Sequence, residues 1–348
     1  MEDNRLAQLP QALLPWYEKN RRDLPWRQDR EPYHVWLSEI MLQQTRVEAV
    51  KGYYTRFLEA LPTIEALAKA PQEQLYKLWE GLGYYSRVRN LQKAAKVLCA
   101  EYGGQMPGDY QKVRALPGIG PYTAGAICSI AFNLPTPAVD GNVLRVISRL
   151  ENDATPIDLP ACNKAAEEKL RRIYPAEAGD FTQALMELGA TVCGPNREPD
   201  CVSCPCATFC RGRIEGTARE LPVRLPKKER RSEDLTVFIL RREGKYAVCR
   251  RGATGLLAGL WEFPNVPGKL TLPQEVKYLE DLGFGLRQVW RQVEKKHIFT
   301  HIQWNMQGFY AEVTGEGGDW IWLTPEEIEK GAALPTAFRQ FWEEREDV

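Results

Sequence analysis

Five of the nine cysteines are crowded into residues 193–210, in the stretch CGPNREPDCVSCPCATFC. The spacing C-x7-C-x2-C-x5-C is formed by Cys193, Cys201, Cys204 and Cys210, and Cys206 lies inside the last interval. Disulfides are rare in a cytosolic chain, so this grouping favours a metal. Four thiolates suit zinc or an iron–sulfur cluster. Because zinc sites usually contain two close cysteine pairs, the single short interval favours iron–sulfur. The alternatives are a zinc site and a reduced cysteine-rich loop that binds no metal.

Length and composition limit the number of domains, the cellular location and the surface charge of the protein. A chain of 348 residues predicts two or three domains, and 44% hydrophobic residues are enough for real cores. No apolar run reaches the roughly 18 residues of a membrane helix, and the charged N-terminal stretch lacks a signal-peptide core. We therefore expect a cytoplasmic protein, nucleoid-associated if bacterial, that does not bind membranes. Basic and acidic residues each number 46, so any basic surface for nucleic acid must be local.

The hydrophobic periodicity changes once along the chain. Residues 1–220 carry apolar residues at helical spacing, as in PYHVWLSEIMLQQTRVEAVKGYYTRFLEAL, and predict an all-α domain that includes the cysteine loop 193–210. Residues 221–232 are basic and proline-bearing, which is typical of a linker. Residues 233–348 are strand-like, with two short runs around a Gly-Lys turn in LTVFILRREGKYAVCRR, and predict an α+β domain. The tail AFRQFWEEREDV is predicted to be helical.

The stretch LPGIGPYTAGAI, residues 116–127, is typical of a helix-hairpin-helix. Gly118 and Gly120 allow a tight turn and a close approach of the backbone to a partner. The N–H groups that open the next helix would bind an anion, and a DNA phosphate fits such a site. A plain helical hairpin with glycine at the end of its first helix is the alternative.

Two carboxylates lie in apolar surroundings in the same half. Glu39 is within WLSEIMLQQT, and Asp140 is within PAVDGNV. Glu39 could instead point to water from one helix face, and Asp140 could only cap the helix that follows it. Together with the hairpin and the cysteines, however, the two carboxylates are compatible with far fewer kinds of protein than any one of these features alone.

These segments resemble a known family. DLPWR, SEIMLQQTRV, WEGLGYYSRVRNL, LPGIGPYTAGAI, VDGNVLRV and ALMELGATVC are similar, in the same order, to segments of the MutY adenine glycosylases, within the helix-hairpin-helix DNA glycosylases that carry an iron–sulfur cluster. The resemblance implies a multidomain fold, with an all-α helix-hairpin-helix glycosylase domain and a C-terminal α+β Nudix-like (MutT-like) domain. It also implies hydrolysis of the N-glycosidic bond of adenine mispaired with 8-oxoguanine or guanine, leaving an abasic site.

The resemblance assigns roles that agree with the chemistry of this bond. The leaving base needs a proton and the oxocarbenium-like sugar needs a nearby negative charge, which two carboxylates supply. Glu39 would be the general acid and would later activate water, and Asp140 would stabilise or attack the sugar cation. Tyr122 replaces the lysine with which endonuclease III enzymes attack the sugar, so the strand should remain largely uncut. A bifunctional glycosylase of the endonuclease III type and a non-catalytic DNA-damage binding protein are the alternatives.

The resemblance also implies binding residues, for each of which ordinary helix packing is the alternative. Gln44 and Tyr84 would fill the gap left when the base is flipped out of the stack. The adenine pocket would be formed by Trp26, Arg27, Leu42, Gln183 and Met186.

The C-terminal half departs from a working Nudix hydrolase. PQEVKYLEDLGFG lacks the Arg-Glu core of the magnesium-binding box, so phosphohydrolase activity is not expected. By resemblance this domain recognises 8-oxoguanine through a Phe-Ser-His loop, which here reads Phe299, Thr300 and His301. Threonine keeps the hydroxyl and adds a methyl group. An alternating strand with His301 on its solvent face is the alternative.

The implied ligands follow from the same resemblance. Cys193, Cys201, Cys204 and Cys210 would hold a [4Fe–4S] cluster, although the first interval has seven residues where the family has six. A monovalent or calcium ion would fit the helix-hairpin-helix. The expected partner is double-stranded DNA containing adenine opposite 8-oxoguanine. We expect a monomer, with the linker available to other repair proteins.

Overall fold

The computed structural model describes residues 5–195, 198–226 and 229–345. Within these ranges the chain divides into two compact units. The first contains residues up to 69 together with residues 89–226, and the second contains residues 70–88 together with those from 229 onward. Every described helix is too short or too polar to cross a bilayer.

The first unit is helical. Its short 3-10 helices are Leu6–Gln8 and Pro25–Arg27. Its α-helices are α1 (Leu9–Asn20), α2 (Pro32–Leu42), α3 (Val47–Ala60), α4 (Ile64–Lys69), α6 (Ser86–Glu101, which begins in the second unit), α7 (Tyr110–Arg114), α8 (Pro121–Phe132), α9 (Gly141–Glu151), α10 (Pro160–Arg171), α11 (Ala178–Thr191) and α12 (Arg211–Ile214).

The core of the first unit joins helices that are far apart in sequence. Apolar residues of α1, α9 and α11 form one buried cluster, as their helical spacing predicts. Helix α8 is buried on almost all sides from Thr123 to Ile130 and is rich in small residues. A Cβ atom on Gly125 would come within 2.0 Å of the Pro137 carbonyl oxygen, so this glycine allows α8 to pack closely against the chain.

The second unit contains a seven-stranded sheet with the order β3-β2-β1-β6-β5, in which β4 also pairs with β1 and β7 with β2. Strand β1 runs parallel to β6, and the other pairs are antiparallel, so the sheet is mixed. The strands are β1 (Arg231–Arg242), β2 (Lys245–Arg250), β3 (Trp261–Glu262), β4 (Asn265–Pro267), β5 (Gly285–Ile298), β6 (Ile302–Thr314) and β7 (Ile321–Leu323). The helices are α5 (Gln72–Leu78), α13 (Leu272–Asp281), α14 (Pro325–Gly331) and α15 (Thr336–Trp342).

Several boundaries differ from the sequence prediction. Strand β1 begins at Arg231, inside the predicted linker, because pairing with β6 already starts there. The turn between β1 and β2 consists of Glu243 and Gly244, both with positive φ (51° and 76°), and not of a Gly-Lys pair. The tail is helical only to Trp342, and its last residues, 346–348, lie outside the described residues.

Residues 70–88 belong to the second unit although helical segments of the first unit flank them in sequence. The Glu80 carboxylate accepts hydrogen bonds from the Leu334 backbone N–H at 3.0 Å and from Arg339 at 3.4 Å. Glu73 forms an ion pair with Arg250. These contacts join α5 and the following turn to the C-terminal part of the chain.

Candidate active site

A cavity of about 580 Å³ in the first unit is lined by all of the predicted catalytic and adenine-pocket residues. Its walls come from the 3-10 helix 25–27, from α2 and from the turn that follows it, and from α11 and the first residues of α8 and α9. The predicted residues that line it are Trp26, Arg27, Glu39, Leu42, Gln44, Tyr122, Asp140, Gln183 and Met186. These residues span more than 150 positions of the sequence, so only the packing of the helices brings them together.

Glu39 is a buried carboxyl group on α2, only 6% exposed, and does not point to water. Burial raises its pKa to about 7; the nearby Asp140 acts in the same direction, whereas a hydrogen bond from Tyr122 and the charge of Arg27 act against it. A carboxyl group with this pKa can hold a transferable proton near neutral pH.

Tyr122 is the second residue of α8, directly after the hairpin turn, and its hydroxyl donates a hydrogen bond to Glu39 Oε2 at 2.7 Å. Burial, together with the neighbouring Glu39 and Asp140, raises the pKa of Tyr122 well above its ordinary value. The phenol therefore remains a hydrogen-bond donor to Glu39 across the working pH range.

Asp140 both caps α9 and lines the cavity. Its Oδ1 accepts hydrogen bonds from the backbone N–H groups of Asn142 at 2.9 Å and Val143 at 2.8 Å. Its Oδ2 accepts from the Asn142 side-chain amide at 2.6 Å. The capping role considered from the sequence is thus present, and it fixes the orientation of the carboxylate at the cavity wall.

The turn before α8 has the helix-hairpin-helix geometry. Helix α7 is capped by Asp109, and α8 begins at Pro121 with Gly120 as its N-cap. Gly118 has φ +78°, and a Cβ atom there would lie 2.6 Å from the Asn90 Cβ atom. Nothing lies within 4 Å of the Cβ position of Gly120, so the backbone at the start of α8 is open to a partner such as a phosphate. The ion expected at this hairpin stays a prediction.

Two predicted DNA-contacting residues have unusual backbone conformations. Gln44 has φ +58° and Tyr84 has φ +47°, although neither is glycine. Gln44 is exposed, and the side chain of Tyr84 is 46% exposed, which is rare for a large aromatic ring. Strained backbone of this kind persists where the surrounding structure enforces it, often at binding sites.

The four cysteines of the spaced pattern line one small cavity beside Arg149 and Arg213. Arg149 donates a hydrogen bond to Cys193 Sγ at 3.1 Å, and a guanidinium there would complement thiolate charge. Cys206 is buried nearby but does not line this cavity. No group of His, Cys, Asp or Glu in the described ranges is arranged to hold a single metal ion. Four cysteines are the ligand number of an iron–sulfur cluster, and the cluster at these residues stays a prediction. Two residues of the long first interval, 196 and 197, lie outside the described ranges.

In the second unit, Phe299, Thr300 and His301 form the turn between β5 and β6 and do not continue the strand. Phe299 packs against Trp304 at 4.9 Å between ring centroids, whereas Thr300 and His301 are exposed. The hydroxyl groups of Thr300 and Tyr84 are 2.7 Å apart and share a hydrogen bond. This contact joins two residues that were predicted separately as DNA contacts.

The incomplete Nudix box lies on α13. Its buried Glu275 accepts hydrogen bonds from Gln292 at 2.6 Å and from Gln307 at 2.8 Å. Both carboxylate oxygens therefore have side-chain partners, which leaves this residue poorly suited to bind magnesium.

Comparisons with known proteins identify both units of the chain. Residues 37–174 match the HhH-GPD superfamily of base excision DNA repair proteins, and residues 236–344 match the NUDIX domain. The adenine DNA glycosylase of Homo sapiens is 35% identical over 94% of this chain and 72% of its own length. The chain belongs to the adenine DNA glycosylase family. The resemblance and the fold class inferred from the sequence are confirmed.

Solved structures match the helical unit of this adenine DNA glycosylase family member. A thermostable thymine-DNA glycosylase superposes with a TM-score of 0.55 at 30% identity, over 61% of this chain and 97% of its own. A trapped endonuclease III–DNA covalent intermediate superposes with a TM-score of 0.53 at 25% identity, over 62% of this chain and 99% of its own.

Glu187 is a charged member of the glycosylase cavity that was not predicted from the sequence. It is fully buried on α11 and binds Arg22 at 2.6 Å and Arg27 at 2.7 Å. Burial alone would raise its pKa, but the hydrogen bonds from both arginines outweigh burial and lower the pKa. The sequence could have indicated this residue, because Glu187 is the one charged residue in the largely apolar stretch ALMELGATVC.

Proposed function

We propose that this protein flips adenine out of DNA duplexes in which it lies opposite 8-oxoguanine or guanine and hydrolyses its N-glycosidic bond, leaving an abasic site. The observation that carries the proposal is the pair of carboxylates in one cavity: Glu39 with a pKa raised to about 7, and Asp140 held by three hydrogen bonds. Together they supply a proton for the leaving base and a negative charge for the sugar cation.

The reaction would proceed by stepwise bond breaking. Protonated Glu39 donates to a ring nitrogen of adenine, and the carbon–nitrogen bond breaks with its electron pair moving to the base. Asp140 stabilises the resulting oxocarbenium sugar, or bonds to it in an ester that the attacking water then breaks, with the bonding electron pair returning to the Asp140 carboxylate. The Glu39 carboxylate then takes a proton from the water that adds to the sugar carbon, which restores the starting protonation state. Tyr122 holds Glu39 in place throughout.

The rest of the cavity has the character of a base-binding site. Trp26, Leu42 and Met186 offer apolar surfaces to a flipped ring, whereas Arg27 and Gln183 offer polar groups. Gln44 and Tyr84, with their strained backbones, would fill the gap in the duplex, and the hairpin at Gly118 and Gly120 would bind a phosphate.

Hydrolysis is favoured over lyase chemistry because no lysine is among the described residues that line the cavity. A bifunctional enzyme would need an amine there to attack the sugar. Recognition of the opposite base is assigned to Thr300 and His301, whose exposed side chains carry hydrogen-bonding groups at a turn of the Nudix-like unit.

A [4Fe–4S] cluster is proposed at Cys193, Cys201, Cys204 and Cys210. Bound there, it would link the loop 193–210 to the helical unit through four iron–sulfur bonds. Iron and zinc analysis of the purified protein tests this assignment. A cytoplasmic, monomeric protein that acts on double-stranded DNA is the setting that the proposal implies.

A glycosylase assay tests the function. Duplexes carrying adenine opposite 8-oxoguanine, guanine, cytosine or thymine are incubated with excess protein, and heat with alkali then reveals abasic sites as strand breaks. We expect cleavage after alkali for 8-oxoguanine and guanine and little cleavage before it. Strand cleavage without alkali would indicate a lyase, and binding without excision would indicate a non-catalytic damage-binding protein.

A further inference from the structure

Glu187 is a buried anion at the wall of the cavity with two cationic partners. Its Oε1 accepts from the Arg22 backbone N–H at 3.2 Å and from Arg22 Nε at 2.6 Å. Its Oε2 accepts from the Arg22 Nη2 at 2.9 Å and from the Arg27 Nη2 at 2.7 Å. A carboxylate has about four acceptor positions, and these four hydrogen bonds occupy them. Glu187 therefore cannot also accept a hydrogen bond from a base without losing one.

Arg27 is the second partner of Glu187 and, like Arg22, lines the cavity. Its side chain is only 10% exposed. Its Nη1 donates to the Arg22 carbonyl oxygen at 3.2 Å, and its guanidinium lies over the Tyr17 ring at 5.6 Å. A guanidinium has five N–H donors and no acceptor. The hydrogen bonds to the Arg22 carbonyl oxygen and to Glu187 use one N–H on each terminal nitrogen, so donors remain for an adenine ring nitrogen.

We infer that Glu187 is a positioning residue for adenine recognition, which holds Arg27 as an oriented donor in the base pocket. This inference rests on the proposed function. An unrestrained arginine loses considerable side-chain entropy when it binds a ligand, and Glu187 removes that cost in advance by fixing the guanidinium before the base arrives. Arg22, which contacts the same carboxylate, restrains Glu187 in turn.

A double-mutant cycle tests the inference. Glu187→Gln keeps the shape and removes the charge, and Arg27→Met removes the donors at similar length. Single-turnover excision of adenine opposite 8-oxoguanine is measured for both variants, for the double variant and for wild type. We expect each single variant to lose about 10- to 100-fold in rate. The double variant should be no slower than Arg27→Met alone, because Glu187 acts through Arg27.

Two controls separate positioning from general structural damage. Asp180→Asn makes the same acid-to-amide change on α11, at an exposed ion pair with Arg30 outside the cavity, and should keep the wild-type rate. Binding to a duplex with a tetrahydrofuran abasic site needs no base pocket, so Glu187→Gln should bind it like wild type. Glu187→Asp retains the charge with a shorter reach and should recover part of the rate, which keeps the test decisive if the glutamine variant folds poorly.

The outcomes are distinguishable from failure of the proposed function. A wild-type protein that does not excise adenine refutes the function itself. An active wild type with a Glu187→Gln variant of equal rate refutes the positioning role. Multiplicative losses in the double variant, or equal losses in binding to the abasic duplex, also refute it and assign Glu187 a purely structural role.

Discussion

At the scale of single residues, the protonation of Glu39 should control the reaction. The acid form is the active one, so the single-turnover excision rate should be highest below pH 7 and fall as pH rises through about 7. Tyr122→Phe removes a hydrogen bond that favours the ionised carboxylate. The pKa of Glu39 should then rise, and the falling part of the profile should move to higher pH.

The control for this measurement is Tyr174→Phe, which removes a hydroxyl from the same unit, where it bonds to Thr182. Its profile should keep the wild-type midpoint. A Tyr122→Phe profile that moves to lower pH, or that is flat across pH 7, would be inconsistent with Glu39 as the general acid.

The raised pKa of Glu39 should also make the stability of the folded protein depend on pH. The folded protein holds the Glu39 proton to higher pH than the unfolded chain, so stability is lost as pH rises from 4.5 towards 7. That rise in pKa corresponds to about 3 kcal/mol. Glu39→Gln should therefore abolish excision yet be more stable than wild type at pH 8, by up to about 3 kcal/mol, and lose this advantage near pH 4.

Chemical denaturation of both proteins at the two pH values measures this difference. Glu59→Gln, an exposed change on α3, should show no pH-dependent gain. Equal stability of wild type and Glu39→Gln at pH 8 would mean that burial of the Glu39 charge costs little.

At the scale of elements, the two hairpin glycines should differ sharply. Gly118 has positive φ and no room for a Cβ atom beside Asn90, whereas Gly120 has φ −89° and open space. Gly118→Ala should lower the free energy of unfolding by about 1–3 kcal/mol, and Gly120→Ala should change it by about 0.5 kcal/mol or less. Denaturant melts of the two variants give the comparison, and equal losses would show that the hairpin backbone adapts.

At the scale of the whole molecule, the way the chain divides into two units limits which variants can test recognition of the opposite base. Residues 70–88 pack with the C-terminal part of the chain through Glu73 and Glu80. Removing residues 233–348 would leave that segment without its packing partners. A truncation would thus confuse loss of recognition with loss of structure, and single substitutions are the better probe.

Thr300→Ala is the substitution that addresses recognition. It removes a hydroxyl that shares a hydrogen bond with Tyr84 and that we propose contacts the opposite base. The ratio of affinities for adenine opposite 8-oxoguanine and opposite guanine should fall about 2- to 10-fold, as expected for one hydrogen bond. Thr254→Ala, at another exposed loop threonine of the same unit, should keep the ratio, and an unchanged ratio for Thr300→Ala would exclude its role.

Local features were within reach of the sequence. The change from helical to strand spacing near residue 230, the hairpin glycines and the cysteine spacing are all set by neighbours within a few positions. Side-chain periodicity and backbone φ preferences therefore report them directly. Boundaries were less certain, since β1 extends to Arg231 only because β6 is beside it.

Features that depend on distant contacts were decided by the tertiary structure alone. Glu39, Tyr122 and Asp140 could be named from their motifs, but the raised pKa of Glu39 arises from burial by helices that the sequence does not align. Glu187 and Arg27 are 160 positions apart in the sequence. Glu80 and Leu334, which join residues 70–88 to the C-terminal part of the chain, are 254 positions apart. Burial and electrostatics depend on distances in space, so a sequence can supply the charged groups without specifying which of them will meet.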